Sequence, residues 1–181
     1  GIYWIPSVDT VFFDRDGVIN EVVLRAGLVS SPRTLDEFRL RQDFVSAFQQ
    51  INSFVLSLFV VSNQPDVSRG LLSQAALTEM TESLQERFKF KEVVYCVHDN
   101  QDQCLCRKPK PGMLNYLVEK YAIDRAKAIF IGDSAKDVLA GSAAGIRTVY
   151  LRQFYNQPSG CQPDFVVDSL EEILAIIDGN K

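Results

Sequence analysis

The chain has 181 residues, of which 46% are hydrophobic and 23% are charged, and its formal net charge is −4 at pH 7. This composition is typical of a globular protein, and the length predicts one domain over residues 1–181. The acidic balance argues against a nucleic-acid partner or a membrane surface, because both attract basic patches.

The chain carries no recognisable targeting or membrane signal. No apolar run approaches the length of a membrane-spanning helix, and the first residues lack the pattern of a signal peptide. We therefore expect a cytoplasmic protein that acts without a membrane partner.

The first predicted element is a short buried strand, Val11–Phe13, which ends on Asp14, Asp16 and Gly17. Ligands of open α/β sheets lie just beyond the carboxyl ends of the strands. Two carboxylates at that place suit a nucleophile or metal ligand followed by a proton donor. Taken alone, the same residues also fit an ordinary Asp-Gly turn.

The next elements alternate between helix and strand. A loop over the site, Glu21–Arg33, precedes a helix predicted over Gln42–Asn52, and an apolar strand follows over Val55–Ser62. Ser73 is predicted to cap a helix that runs to about Phe88. A third strand is predicted over Glu92–Cys96.

The second half of the chain continues the alternation. It contains a helix from Pro111 to Tyr121, a strand over Lys127–Ile131, a helix over Ala135–Ala144, strands over Thr148–Leu151 and Phe165–Val167, and a last helix capped by Ser169. The pattern predicts a Rossmann-like α/β fold with a mostly parallel sheet and helices on both faces. Right-handed crossovers then bring all strand carboxyl ends to one edge.

Polar residues follow four of these strands, and their chemistry suits phosphoryl transfer. Asp14, Asp16 and Asp133 can hold Mg²⁺, a cation that prefers oxygen ligands. Asp14 can attack phosphorus, and Asp16 can protonate the leaving oxygen and then deprotonate a water molecule. Ser62 and Lys108 can neutralise charge on the phosphate oxygens.

Asp137 lies one helical turn after Asp133, so it can orient Asp133 or Lys108. The alternative is a first-turn aspartate that only complements the helix dipole. Arg15 lies between the two catalytic aspartates, and we expect its side chain to point away into a structural ion pair.

A cysteine-rich loop over Cys96–Cys106 predicts a metal site. Its possible ligands are Cys96, His98, Cys104 and Cys106. Three thiolates and an imidazole form a complete tetrahedral set for a structural Zn²⁺, which would fold the loop next to the phosphate-binding residues. The alternative is a group of free cysteines with a surface histidine. Cys161 has no predicted role.

The segments DRDGVIN, SNQ, RKPKPG and GDSAKD, in this order, resemble the four signature motifs of the haloacid dehalogenase (HAD) phosphatase superfamily. This resemblance implies Asp14 as nucleophile, Asp16 as acid and base, Ser62 and Lys108 as phosphate ligands, and Asp133 as a Mg²⁺ ligand. The intervals between motifs are too short for a separate cap domain, so we expect the capless subclass IIIA and a monomer.

The cysteine loop is similar to that of two HAD groups, the D-glycero-D-manno-heptose 1,7-bisphosphate phosphatases and the histidinol-phosphate phosphatases. The Lys108–Met113 segment and the Gly27–Pro32 loop are more similar to the heptose group. The short gap between His98 and Cys104 is more similar to the histidinol group. In addition, Ser134 stands where heptose enzymes often have a lysine.

Three residues are predicted to contact the rest of the substrate. Arg107 can pair with a second phosphate or with hydroxyls, although a surface salt bridge is the alternative. Asn63 and Gln64 can hydrogen-bond sugar hydroxyls.

The leading hypothesis is a Mg²⁺-dependent phosphomonoesterase with an aspartyl-phosphate intermediate that removes the 7-phosphate of heptose bisphosphate. Histidinol-phosphate phosphatase is the alternative substrate assignment. A non-catalytic zinc-stapled binding module is an alternative of another class. A nucleic-acid 3′-phosphatase of the same superfamily would need a basic groove with stacking aromatic residues.

Overall fold

The structure is a computed structural model and describes residues 7–51 and 54–179. Its strands are β1 (Thr10–Phe13), β2 (Val23–Arg25), β3 (Leu28–Ser30), β4 (Ser57–Asn63), β5 (Glu92–Cys96), β6 (Ala128–Gly132), β7 (Arg147–Leu151) and β8 (Phe165–Val167). Its α-helices are α1 (Gln42–Ile51), α2 (Gln74–Phe88), α3 (Gly112–Tyr121), α4 (Ala135–Ala143) and α5 (Ile173–Ile177).

Six strands form one sheet in the order β5-β4-β1-β6-β7-β8, and every neighbouring pair is parallel. The carboxyl ends of the strands therefore share one edge, with β1 next to the centre. The prediction of a Rossmann-like, mostly parallel sheet is confirmed.

Helices cover both faces of this sheet because side chains of a strand alternate between faces. Phe13 of β1 packs with Phe44 of α1 and Ile173 of α5, all of which are buried. Phe12, its neighbour, packs on the other face with Leu117 of α3 and Ala140 of α4. The sheet is thus the middle of three layers.

Local capping signals fix several helix ends as predicted. The Ser73 hydroxyl accepts a hydrogen bond from the Ala76 backbone N–H at the start of α2. Ser169 and Glu172 form a capping box, although the first turn after it is 3₁₀ and α5 begins only at Ile173. Asn52, the predicted end of the first helix, lies outside the described residues.

The segment Glu21–Arg33, predicted as a loop, instead contains a β-hairpin. β2 and β3 pair antiparallel, with Arg25 opposite Leu28. Its two turn residues, Ala26 and Gly27, have φ values of 51° and 77°. Two residues with positive φ give the turn twist that hairpins favour, but alanine rarely adopts this conformation. That is why the sequence did not indicate a hairpin.

A search of the described helices for membrane spans found no helix that is both long and apolar enough to cross a bilayer.

Candidate active site

The buried cation of the site is Lys108, which is 3% exposed. Its Nζ donates to Asp14 Oδ1 at 2.9 Å, to Asp137 Oδ1 at 2.6 Å and to the Val61 carbonyl at 3.2 Å. Burial alone lowers the pKa of Lys108, but the charges of Asp137 and Asp14 outweigh it and raise the pKa above its usual range. Lys108 is therefore a permanent positive charge at the carboxyl end of β1 and β4.

Asp14 follows β1 directly, and its backbone N–H continues the sheet pairing to Ile131. Burial, followed by the negative charge of Asp137, raises the pKa of Asp14 well above its ordinary value, whereas Lys108 lowers it. The Asp14 carboxyl group is thus held in a low-dielectric position beside Lys108, whose charge favours the ionised form that a nucleophile requires.

Asp133 follows β6 and is 6% exposed. Burial and the charge of Asp137 raise its pKa to about 7. Gly17, with a φ of 86°, lies so close that a Cβ at this position would overlap Asp133 Oδ2. The Asp-x-Asp-Gly motif therefore needs glycine both for its backbone conformation and for the approach of Asp133.

Asp137 contacts both residues that the sequence suggested. Its Oδ1 accepts from Lys108, and its Oδ2 accepts from the Asp133 backbone N–H at 3.2 Å and from the Ser134 hydroxyl at 3.1 Å. One buried carboxylate thus ties the cation to the strand end that carries Asp133.

The carboxylates that lie within 4.8 Å of one another in the described chain are those of Asp14, Asp133 and Asp137. Together with Lys108 they leave an excess of negative charge in a buried place. Hard oxygen donors with surplus negative charge are the chemistry that a divalent cation such as Mg²⁺ prefers. These residues therefore fit the predicted Mg²⁺, with Asp14 and Asp133 as its candidate ligands. The single charge of Lys108 does not neutralise the three carboxylates.

Asp16 was predicted as a third Mg²⁺ ligand, but its carboxylate does not belong to this cluster. Its Oδ1 accepts from Arg15 Nε and from Asn20 Nδ2, each at 3.0 Å, and its Oδ2 accepts from Gln64 Nε2 at 2.8 Å. Arg15 is fully buried, forms its ion pair with Asp16 itself and also donates to the Tyr95 hydroxyl at 3.4 Å. These donors hold the Asp16 side chain, and its role as a Mg²⁺ ligand stays a prediction.

The residues at the carboxyl end of β4 take different positions from one another. Asn63 pairs with the Lys108 backbone in both directions, accepting from N–H at 3.0 Å and donating to the carbonyl at 3.1 Å. Gln64 is fully buried and donates to Ser62 Oγ at 3.0 Å as well as to Asp16. Gln64 therefore lies behind the site, and not at the sugar-facing position expected from the sequence.

The predicted zinc ligands are brought together at the end of β5. Cys96, His98, Cys104 and Cys106 each offer a ligand atom, and these atoms lie within 4.8 Å of one another. Cys96 Sγ lies 3.0 Å from Cys106 Sγ and 3.6 Å from Cys104 Sγ, and His98 Nδ1 lies 3.3 Å from Cys106 Sγ. This set of soft donors at one point is compatible with a tetrahedral zinc ion.

An open cavity of about 430 Å³ lies in front of Asp14. It is lined by Asp14, Asp16, Asn63, Arg107, Lys108, Ser134, Ala135, Lys136 and Asp137. Arg107 is held by the cysteine-rich loop Cys96–Cys106, since its Nε donates to Asn100 Oδ1 at 2.9 Å and its NH1 donates to the His98 carbonyl at 3.2 Å. The cavity is therefore lined by carboxylates on the side of Asp14 and by the cations Arg107, Lys108 and Lys136.

Comparison with known proteins places the chain in a family. A family model described as HAD-hydrolase-like matches residues 105–173. D-glycero-beta-D-manno-heptose-1,7-bisphosphate 7-phosphatase of Pasteurella multocida is 30% identical over 94% of this chain and 97% of its own length. The enzyme of the same name from Pseudomonas aeruginosa is 34% identical over 81% of this chain and 82% of its own length.

This chain belongs to the HAD-like phosphatases. A solved D,D-heptose 1,7-bisphosphate phosphatase from B. bronchiseptica, complexed with magnesium and phosphate, superposes with a TM-score of 0.78. It covers 94% of this chain and 98% of its own chain, at 22% identity, so it shares the fold. The protein is accordingly a phosphoric monoester hydrolase, and the HAD resemblance of its sequence motifs is confirmed.

Two parts of this HAD phosphatase were not assigned to the site from the sequence. Lys136, in the first turn of α4, lines the cavity two residues after the Ser134 position where a cation was missing. Partial burial and the positive charge of Arg107 lower the pKa of Lys136. The sequence pattern could have indicated Lys136, because a residue in the first turn of the helix that follows β6 must lie near the same edge of the sheet.

The second part is the loop after β7. Tyr155 donates to Asp133 Oδ2, Asn156 Nδ2 donates to the Asp133 carbonyl at 2.8 Å, and Gln153 Nε2 donates to the Gly17 carbonyl at 2.8 Å. β7 is a further parallel strand whose carboxyl end lies at the same edge. The same rule that gathered the other residues would have indicated this loop.

Ion pairs connect the loops around the cavity of this HAD phosphatase. Arg69 pairs with Asp99 of the cysteine-rich loop through Nε at 2.6 Å and NH2 at 2.9 Å. Asp66 is nearly buried and accepts from Arg33 at 3.0 Å and from Arg69 at 3.4 Å. The loop after β4 is therefore joined both to Arg33, which follows the β2–β3 hairpin, and to the cysteine-rich loop.

Proposed function

We propose that the chain is a Mg²⁺-dependent phosphatase that removes the 7-phosphate of D-glycero-β-D-manno-heptose 1,7-bisphosphate. The observation that carries this proposal is the cavity itself, in which a nucleophile paired with Lys108 faces the additional cations Arg107 and Lys136. A monophosphate needs only the first cation, whereas a bisphosphate uses all three. The names of the relatives from Pasteurella and Pseudomonas support the same substrate.

The chemistry assigned to these residues takes two displacements at phosphorus. A carboxylate oxygen of Asp14 attacks the phosphorus, the bond from phosphorus to the sugar oxygen breaks, and Asp16 gives that oxygen its proton. Asp16 then takes a proton from water, whose oxygen attacks the phosphorus of the aspartyl-phosphate. The bond from phosphorus to the Asp14 oxygen breaks, which regenerates the carboxylate and releases inorganic phosphate. Lys108 neutralises the phosphate oxygens in both displacements.

Asp14 and Asp133 are the proposed Mg²⁺ ligands, and Asp137 holds Asp133 and Lys108 in place. When bound, Mg²⁺ supplies charge neutralisation for the transferred phosphoryl group. Gln64 and Arg15 are proposed to orient Asp16, while Asn63 fixes the backbone of Lys108 and Ser62 accepts from the buried Gln64 amide.

The zinc proposal concerns the cysteine loop, and metal analysis tests it. Protein purified without chelators is expected to contain about one zinc per chain. Cys104→Ala should lose the zinc and lower the thermal midpoint, because the loop that carries Arg107 is then unsupported. Cys161→Ala is the matched control, since this thiol lies outside the cluster. Zinc-free protein from such a preparation would contradict the assignment.

Lys136 is expected to bind the phosphate that is not cleaved. Lys136→Gln should raise KM for a sugar bisphosphate about tenfold, the effect of losing one charged hydrogen bond, and leave kcat within about twofold. The measurement is steady-state phosphate release with a bisphosphate and with its monophosphate, for which KM should change little. Lys127→Gln, an exposed lysine at the opposite sheet edge, is the control. An equal change in both KM values would contradict the assignment.

The substrate is tested by phosphate release with Mg²⁺ from a fixed panel of compounds. The panel contains heptose 1,7-bisphosphate in both anomers, histidinol phosphate, fructose 1,6-bisphosphate and a 3′-phosphorylated oligonucleotide. We expect the highest kcat/KM for the β-heptose. Preference for histidinol phosphate would replace the substrate but keep the chemistry, and preference for the oligonucleotide would overturn the small-molecule assignment. No release from any compound would favour the non-catalytic zinc-stapled module.

Three expectations from the sequence stay predictions. They are a single domain without a cap over residues 1–181, a monomer, and a cytoplasmic location. A cluster of thiols suited to a metal fits a reducing compartment. Light scattering at assay concentration would test the monomer.

A further inference from the structure

The loop after β7 contacts the site at three points that the proposed chemistry does not use. Tyr155 donates from its hydroxyl to Asp133 Oδ2, Asn156 donates to the Asp133 carbonyl, and Gln153 donates to the Gly17 carbonyl. A backbone hydrogen bond from Asn156 N–H to the Gln153 carbonyl, 3.3 Å long, closes the turn between them. The three side chains therefore act on the site as one unit.

Only one of these contacts reaches a functional side chain. The backbone N–H of Asp133 already donates to Asp137, which fixes the position of the Asp133 backbone. The hydrogen bond from Asn156 to the Asp133 carbonyl is therefore a second contact to a backbone that is already held. The Asp133 carboxylate, in contrast, accepts from Tyr155 alone among the hydrogen bonds found for the described residues. The orientation of this side chain thus depends on one phenol.

The direction of the hydrogen bond is fixed by the chemistry of the two groups. A phenol ordinarily keeps its proton at neutral pH, because its usual pKa is about 10, and an ionised carboxylate can only accept a hydrogen bond. The hydroxyl therefore donates to Oδ2 and occupies that oxygen, which leaves Oδ1 of Asp133 for another partner.

We propose that Tyr155 is a positioning residue for the metal: its hydroxyl fixes the Asp133 carboxylate in the orientation that binds the divalent cation. This inference rests on the proposed function, because it takes Asp133 as a Mg²⁺ ligand. Partners that orient a metal ligand set the affinity for the metal, and their loss typically weakens binding about 10- to 100-fold. The role requires the hydroxyl, not the ring.

The ring of Tyr155 has a separate, purely packing contact. It lies edge-on to Phe154, with the ring centroids 5.1 Å apart and the planes at 87°. Tyr155→Phe keeps this contact and removes only the hydroxyl. Phe in place of Tyr is therefore the substitution that separates positioning from packing.

The experiment titrates the full-length protein with Mg²⁺ in a calorimeter, without substrate, and measures the thermal midpoint without added Mg²⁺. For Tyr155→Phe we expect the dissociation constant for Mg²⁺ to rise about 10- to 100-fold, with an unchanged thermal midpoint. The Mg²⁺ concentration for half-maximal phosphate release should rise by a similar factor, while kcat at saturating Mg²⁺ stays within about threefold. Tyr116→Phe removes a hydroxyl from an exposed tyrosine of α3 and is the control.

Each outcome decides the proposal. Unchanged Mg²⁺ affinity in Tyr155→Phe would overturn it, and so would a lower kcat at saturating Mg²⁺ with unchanged affinity. A lower thermal midpoint in Tyr155→Phe, together with an equal loss of Mg²⁺ affinity in Tyr116→Phe, would assign Tyr155 a structural role only. If the calorimetric shift is found but heptose bisphosphate is not hydrolysed, the positioning role stands and only the substrate assignment fails. Absence of Mg²⁺ binding by the parent protein would overturn both.

Discussion

Asp14→Asn is expected to abolish phosphate release, lowering kcat by about 10³-fold or more at saturating Mg²⁺. The amide has the shape of the carboxylate but cannot form the acyl-phosphate bond to phosphorus. Its oxygen can still accept from Lys108 and from the Arg15 backbone N–H, as Asp14 does. The loss is therefore assigned to the missing nucleophile and not to a rearranged site.

The same substitution is expected to stabilise the protein when no Mg²⁺ is added. Burial and neighbouring carboxylates raise the pKa of Asp14 in the folded chain, so its ionised form is disfavoured there relative to the unfolded chain. At neutral pH the neutral amide removes this cost, and the thermal midpoint should rise. Opposite changes in activity and stability are typical of a residue that is kept for function.

The control for this pair of measurements is Asp36→Asn. Asp36 is exposed in the short 3₁₀ turn before α1 and lies outside the cavity. Asp36→Asn removes the same charge from an exposed position. Both the activity and the thermal midpoint of this variant should therefore stay close to those of the parent. More than about a tenth of parental activity in Asp14→Asn would be incompatible with Asp14 as the nucleophile.

The sequence predicted the layout of the site because that layout follows from local patterns. Each apolar run that ends in polar residues indicates one strand and one junction, and the parallel sheet brings the junctions together without further information. For this reason Asp14, Asn63, Lys108 and Asp133 could be placed at one edge from the chain alone. The caps at Ser73 and Ser169 were equally local signals.

The details that sequence reasoning missed depend on residues far apart in the chain. Asp16 has the spacing of a metal ligand, and its carboxylate accepts a hydrogen bond from the amide of Gln64, 48 positions later, which no spacing rule indicates. Tyr155 reaches Asp133 from a loop that had no recognisable motif. Spacing determines which residues come near the site, whereas the direction of each side chain depends on packing partners that one sequence does not specify.

Lys108→Met is expected to have the second large effect, because the lysine charge serves both phosphate binding and the stability of the folded chain. Phosphate release should fall about 10³-fold, since the transferred phosphate loses its buried cation. Folding should be weakened by about 3–5 kcal/mol at neutral pH, since Asp14 and Asp137 stay buried without a partner. Urea unfolding of the variant and of the parent measures this change in the free energy of unfolding.

The loss of stability should depend on pH with a definite sign. Without Lys108, the pKa of Asp14 rises further above its ordinary value of 3.8, because the charge that lowers it is gone. The folded variant then binds more protons than its unfolded chain as the pH falls from neutral toward that value. Its deficit in unfolding free energy relative to the parent is therefore largest near pH 8 and shrinks toward pH 5. A deficit that is constant with pH would indicate lost packing instead.

The double variant Lys108→Met/Asp137→Asn separates the two roles of the lysine. It removes one carboxylate together with the cation, so fewer buried charges stay unpaired and most of the lost stability should return. The amide oxygen introduced at position 137 can still accept from the Asp133 N–H, which keeps that strand end in place. Activity should not return, because the cation that contacts Asp14 is missing and Arg107 and Lys136 are assigned to the phosphate that is not cleaved. A stable and active double variant would mean that Lys108 only balances charge, and that Arg107 or Lys136 neutralises the phosphate that reacts.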